Sequence, residues 1–157
     1  MIKILFVCHG NICRSPMAEF IFKDMIKQRG LSDCFYIASA ATSTEEIWNG
    51  IGNPVYPPAK AELARHGIGC EGKRAVQLTR ADYDKYDYLI GMDSMNMRNM
   101  ERILGHKGDK LYKLLTFAGS DRDVADPWYT GKFDVTYADI AEGCEALLTY
   151  LEEHENL

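Results

Sequence analysis

From Ile2 to Val7 the chain is apolar at every position except Lys3. A short apolar run without alternation reads as a strand buried on both faces. It breaks at a glycine-containing turn, His9 to Ser15, and Pro16 follows where proline suits the start of a helix. Met17, Phe20, Ile21, Met25 and Ile26 then recur at helical spacing, and Gly30 suits a C-terminal cap. Phe35 to Ser39 reads as a second strand, and Ala40 to Pro58, broken by glycines and prolines, as a long loop. Ala59 to His66 reads as a helix closed by Gly67. Thr79-Arg80-Ala81-Asp82 has the form of a capping box with aspartate in the last place. A strand over Asp87–Met92 precedes Asp93, which can cap a methionine-rich helix through about Leu104. Leu111 to Thr116 reads as a fourth strand and Ala118 to Phe133 as a second irregular stretch. The last helix carries Ile140, Cys144, Leu147, Leu148 and Leu151 on one face.

Strand and helix alternate from end to end. The expected architecture is α/β: a central four-stranded parallel sheet with helices on both faces, joined by right-handed crossovers. Taking about 100–200 residues per domain, residues 1–157 form a single three-layer domain. Ligands in such folds bind beyond the C-terminal ends of the strands, at the point where strand order reverses. The turn after the first strand is therefore the first place to look.

Composition narrows the function classes. Lysine and arginine number 18 against 23 aspartates and glutamates, a net charge of −5. That balance argues against a nucleic-acid binder, which needs a basic surface. No stretch approaches the 18 or so apolar residues of a membrane helix, and the opening residues lack a secretory leader's apolar core. The five cysteines, an odd number, fit free thiols in a reducing cytoplasm.

The turn reads Cys8-His9-Gly10-Asn11-Ile12-Cys13-Arg14-Ser15. It joins a buried strand to a helix N-terminus, whose unpaired N–H groups favour anions. Gly10 and Asn11 tolerate the positive φ that such a winding needs. Arg14 offers a planar fork for two phosphate oxygens. Cys8 lies at the base of the cup, where a helix N-terminus and an arginine favour the thiolate. Ser15 can donate a hydrogen bond to it. In the second irregular stretch, Asp126-Pro127-Trp128-Tyr129 supplies a candidate acid, Asp126, beside flat apolar walls.

Together these residues resemble the low molecular weight protein tyrosine phosphatases. The segment Val-Cys-x-Gly-Asn-Ile-Cys-Arg-Ser-Pro carries the resemblance, with Ser39, Trp48-Asn49, His66-Gly67-Ile68, Met92-Asp93, Asn96 and Asp126-Pro127 along nearly the whole chain. The resemblance implies that Cys8 is the nucleophile, Arg14 the transition-state clamp and Asp126 the general acid that later serves as base. It implies that Asn11, Ser39 and His66 hold the loop in shape. It places His9, Ile12, Trp48, Asn49 and Trp128 around a phenyl pocket, with Tyr129 at its wall or rim. Family members often carry Asp-Pro-Arg where this chain has Tyr56-Pro57-Pro58. Trp128 stands for a more usual tyrosine, and the segment from Ser39 to Trp48, with Glu45 and Glu46, looks longer than usual.

The implied activity is hydrolysis of phosphotyrosine in proteins and of small aryl phosphates through a phosphocysteine, by a monomer in the cytoplasm. No cofactor or metal is expected, since Cys8 and Cys13 have no second ligand pair at suitable spacing. Cys13 has two readings: a disulfide partner that protects an oxidised Cys8, or a small packing residue. Cys34, Cys70 and Cys144 read as packing residues. One rival is an arsenate reductase on the same fold, which needs two further cysteines for a thiol relay. The other is a phosphoprotein-binding module without catalysis.

Overall fold

The computed structural model describes residues Met1–Leu157. Its main sheet holds four parallel strands: β1 (Ile2–Cys8), β2 (Phe35–Ala41), β5 (Tyr88–Gly91) and β6 (Leu111–Lys113), in the order β2-β1-β5-β6. β1 pairs with β2 along its whole length, Ile2 opposite Phe35 through Cys8 opposite Ala41. Its other edge pairs with β5 from Ile4 opposite Tyr88 to Val7 opposite Gly91.

Both faces of β1 are covered, as its unbroken apolar run requires. Ile4, Phe6 and Cys8 belong to a core shared with α1 (Arg14–Gln28) and α6 (Phe133–His154). There Phe6 meets Phe22 edge-on at 6.0 Å, and Phe22 meets Phe35 at 5.5 Å. Leu5 and Val7 face the other way, into a smaller core with Leu89, Tyr86, and Met100 and Leu104 of α4 (Ser94–Leu104). The expected apolar face of α6 is buried at all five positions, Ile140 to Leu151. No helix is long and apolar enough to cross a membrane.

The strand order reverses between β1 and β5, so the turns leaving those two strands converge. After β1 comes the loop 9–13, and after β5 come Met92 and Asp93. Asp93 caps α4 with a complete capping box: its carboxylate accepts from the Asn96 N–H at 2.7 Å, and the Asn96 side chain accepts from the Asp93 N–H.

Three sequence expectations change. The stretch Ala40–Pro58 is not a plain loop: β3 (Ile47–Trp48) and β4 (Ile51–Gly52) form a small antiparallel hairpin. Asn49, with φ 51°, and Gly50, with φ 77°, turn it, the pairing that a tight hairpin favours. The last strand stops at Lys113, because its partner β5 ends opposite it at Gly91. Leu114–Ala118 instead coils into a 3₁₀ turn that buries Leu114 and Leu115. The second irregular stretch contains a one-turn helix, α5 (Pro127–Thr130), and Asp126 is its N-cap. The remaining helices, α2 (Pro57–Arg65) and α3 (Ala81–Lys85), lie where the pattern placed them. At α3 the Asp82 carboxylate accepts from the Thr79 N–H at 2.9 Å, one half of the expected box.

Candidate active site

Cys8 ends β1, and its thiol sits buried at the base of a cleft of about 200 Å³. The chain then winds through His9–Cys13 and enters α1 at Arg14. Asn11 makes the winding possible with a left-handed backbone, φ 58°. The start of α1 points at the sulfur: the Ser15 N–H donates to Cys8 Sγ at 3.3 Å, and Ser15 Oγ lies 3.0 Å from it. The N–H groups at a helix start have no partner within the helix, which is what aims this one at the thiol.

Arg14 is almost fully buried, and its guanidinium is held from two elements. Nη1 donates to Asp93 Oδ2 at 2.7 Å and to the Val124 carbonyl at 2.9 Å. Nη2 lies 3.5 Å from Asp126 Oδ2. Burial works against the Arg14 charge, but Cys8, Asp93 and Asp126 outweigh it and strengthen its hold on the proton. The sequence showed Asp93 as a helix cap and as part of the family resemblance, without a role at the site; its tie to Arg14 spans 79 positions. Asp126 stands across the cleft. One carboxylate oxygen caps α5 through the Trp128 N–H at 3.0 Å, leaving the other toward Arg14.

The cleft is lined by Cys8, His9, Gly10, Ile12, Cys13, Arg14, Asp126, Trp128 and Tyr129, together with Glu45 and Glu46. Trp48 and Asn49 are not among them. The hairpin carries both to its tip, where Trp48 is 80% exposed, and the segment entering the hairpin presents Glu45 and Glu46 instead. Glu45 reaches His9 at 3.1 Å across the mouth. Two departures from the family pattern meet here: Tyr56 packs on Trp128 with ring centroids 5.0 Å apart.

Asn11 and Ser39 come together beneath the loop, and Asn11 Nδ2 donates to Ser15 Oγ at 2.8 Å and to Ser39 Oγ at 2.9 Å. His66 does not join them. Its ring stacks on Tyr137 at 3.7 Å and pairs with Glu62, one helical turn back on α2, at 3.1 Å. Glu19 and Lys73 stand beside Ser39 in its place. Ser39 Oγ donates to Glu19 at 2.6 Å, and Lys73 Nζ donates to the Ser39 carbonyl at 3.0 Å.

Cys13 is buried, and that burial, with Cys8 second, pushes its thiol up to about 12. Cys70 and Cys144 are also buried, Cys34 half-buried, and none of the three lines the cleft. Burial likewise pushes the Cys144 thiol up. No group of three or more histidine, cysteine or carboxylate side chains is placed to hold a metal ion.

Comparison with known proteins agrees with this geometry. Residues 3–157 match the family model described as low molecular weight phosphotyrosine protein phosphatase. The chain is 39% identical to the low molecular weight protein-tyrosine-phosphatase YfkJ of Bacillus subtilis, with all of both chains covered. The crystal structure of YfkJ superposes with a TM-score of 0.92 over 98% of this chain and 96% of that one. The PtpA enzyme of Staphylococcus epidermidis is 36% identical, covering 100% of this chain and 98% of the relative. A more distant structure, named a Drosophila arginine phosphatase, has a TM-score of 0.85 at 28% identity, covering 96% of this chain and 98% of its own. The chain belongs to the low molecular weight phosphotyrosine protein phosphatase family and is a cysteine-dependent phosphatase.

Proposed function

We propose that this chain, acting as one catalytic domain, hydrolyses phosphotyrosine in proteins, and small aryl phosphates, through a phosphocysteine on Cys8. The observation that carries the reading is the gathering of parts about one sulfur: the Ser15 N–H and Oγ at Cys8 Sγ, with the Arg14 guanidinium and the Asp126 carboxyl in the same cleft.

In the first step the Cys8 thiolate attacks phosphorus and the bond to the phenolic oxygen breaks. Asp126, entering protonated, gives its proton to that oxygen. Arg14 and the loop N–H groups hold the equatorial oxygens as charge spreads over them. In the second step water attacks phosphorus, the Asp126 carboxylate takes its proton, and the sulfur leaves as a thiolate that accepts from Ser15. Phosphate is released and the enzyme is restored.

Specificity follows from depth and lining. Cys8 is 3% exposed at the floor, so the phosphoryl group must reach down to it. Apolar Ile12 below and Trp128 at the side suit an aryl ring. We place the enzyme in the cytoplasm as a monomer, with phosphotyrosine proteins as its partners. Its net charge of −5 disfavours nucleic acid. Cys13 serves as the disulfide partner of Cys8: peroxide takes Cys8 to the sulfenic acid, and the Cys13 thiol displaces water to form the S–S bond. With excess peroxide, dithiothreitol should then restore wild type but not Cys13→Ser, whose unprotected Cys8 runs on to the sulfinic acid that a thiol cannot reduce.

The test of substrate class is one peptide sequence carrying phosphotyrosine, phosphoserine or phosphoarginine. The phosphotyrosine peptide should be consumed fastest. Equal or faster turnover of phosphoserine contradicts the depth argument. Faster turnover of phosphoarginine contradicts the aryl-phosphate reading.

A further inference from the structure

Cys8 and Ser15 are 3.0 Å apart, and either could give the hydrogen. The surrounding network decides between them. The Val76 N–H donates to Asn11 Oδ1 at 3.0 Å, which fixes the orientation of that amide. Both hydrogens of Asn11 Nδ2 are then spent on Ser15 Oγ and Ser39 Oγ. Each hydroxyl keeps one hydrogen to give. Ser39 gives its own to Glu19 Oε1 at 2.6 Å, since a carboxylate can only accept. Ser15, already receiving from Asn11, has its hydrogen free for Cys8 Sγ.

Glu19 is buried at the far end of this chain of bonds, and a carboxylate there needs positive partners. It has two. Lys23 Nζ, on the next turn of α1, lies 2.6 Å from Oε2. Lys73 Nζ lies 3.9 Å from Oε1, with its side chain 12% exposed, and also donates to the Ser39 carbonyl. Burial lowers the proton affinity of Lys73, while Glu19 raises it. The charged and titratable groups around Cys8 itself are His9, Cys13 and Arg14 from its own loop, Asp126 from the opposite wall, Glu45 and Glu46 from the segment before the hairpin, and Lys73 from the segment after α2.

We propose that Glu19 and Lys73 are positioning residues for catalysis: they fix the direction of the bonds Cys8–Ser15–Asn11–Ser39–Glu19, so that Ser15 always donates to the sulfur. The proposal rests on Cys8 being the nucleophile. Glu19→Gln removes the obligate acceptor. An amide there can donate to Ser39, which turns the Ser39 hydrogen toward the Asn11 donor. Relief by rotating Asn11 sets its Nδ2 against the Val76 N–H and draws the Ser15 hydrogen toward Oδ1, away from Cys8.

The experiment measures alkylation of Cys8 by iodoacetamide against pH without substrate, beside kcat/KM for p-nitrophenyl phosphate from pH 4 to 8. Cys8→Ser supplies the alkylation background, and circular dichroism checks folding. For Glu19→Gln, Cys8 alkylation at pH 5.5 should fall roughly tenfold, the scale of a lost hydrogen bond to a charged group. The acidic limb of kcat/KM should move to higher pH by a similar factor. Lys73→Met should move both in the same direction, and Lys73→Arg should restore most of the loss. Ser39→Ala cuts the same chain without touching a charge and serves if Glu19→Gln fails to fold. A folded Glu19→Gln or Ser39→Ala whose alkylation profile and acidic limb match wild type overturns the proposal. Hydrolysis that survives Cys8→Ser overturns the reading of Cys8 as the nucleophile instead, and alkylation reports on the network independently of it.

Discussion

Asp93 holds two structures with its two carboxylate oxygens, and substitution can separate them. Oδ1 caps α4 through the Asn96 N–H at 2.7 Å, and Oδ2 grips Arg14 Nη1 at 2.7 Å. Asparagine is as good an N-cap as aspartate, so Asp93→Asn keeps the first; its Nδ2, a donor, cannot accept from Arg14, so the second is lost. A bond between charged partners contributes about 1.5–3 kcal/mol, and that is the stability cost. Asp93→Ala leaves the same buried guanidinium short of a partner and also loses the cap, a further ~1 kcal/mol, so its total reaches about 2.5–4 kcal/mol. For a chain of this size each kcal/mol lowers the melting temperature by roughly 2–4 °C. Activity should sort differently. Arg14 must be within a fraction of an ångström of its working position, and a misplacement of about 1 Å costs up to ~100-fold. Both variants should therefore lose about 10- to 100-fold in kcat/KM for an aryl phosphate, although their stabilities differ. The assays are thermal unfolding and steady-state kinetics on p-nitrophenyl phosphate. Full activity in Asp93→Asn refutes the argument that Asp93 positions Arg14. Equal melting temperatures for the two variants refute the capping argument.

Asp126→Asn keeps an acceptor for the Trp128 N–H but cannot deliver a proton; kcat should fall about 10²–10⁴-fold with the fold intact. Burial raises the proton affinity of Asp123, but Lys113 and Ser94 outweigh it and hold its carboxyl below the ordinary value. Its folded value thus lies below its unfolded one, so its contribution to stability is complete above the unfolded value of about 3.9 and is lost as pH falls through the folded one. Melting curves between pH 2.5 and 5 should show that acid loss in wild type and a shallower one in Asp123→Asn. Gly52→Ala would drive a Cβ into the Ala75 carbonyl, so overpacking should cost about 1–3 kcal/mol or more, read as a lower melting temperature.

The local strand–turn–helix part of the site was legible, as was Asp126 from its Asp-Pro-aromatic setting and Ser39 by resemblance; the distant partners of Arg14 and Ser39 were not. Cys8, Arg14 and Ser15 share one strand–turn–helix unit, whose buried strand and helix start are written in adjacent residues. The partners that make Arg14 useful, Asp93 and the Val124 carbonyl, lie 79 and 110 positions away, and one of them is backbone. Lys73 carried no signal, because a lone lysine in a polar segment reads as solvated surface. The place of His66 could have been read: Glu62 and His66 are one turn apart on a helix, which favours the pair observed. Asn49-Gly50 also announced the hairpin, but two-residue strands are too short to show alternation. Trp48 and Asn49 were drawn to the cleft by resemblance, and the hairpin register turns them away from it.

The central claim is that phosphate passes through the sulfur of Cys8. The most direct measurement mixes Asp126→Asn enzyme with p-nitrophenyl phosphate, whose nitrophenolate leaves without the acid, quenches within the first turnover and locates the phosphoryl group by peptide mass spectrometry. Slowing hydrolysis of the intermediate should let it accumulate, with the added mass on Cys8 and none in Cys8→Ser. Phosphate found on another residue, or turnover that persists in Cys8→Ser, would contradict the account.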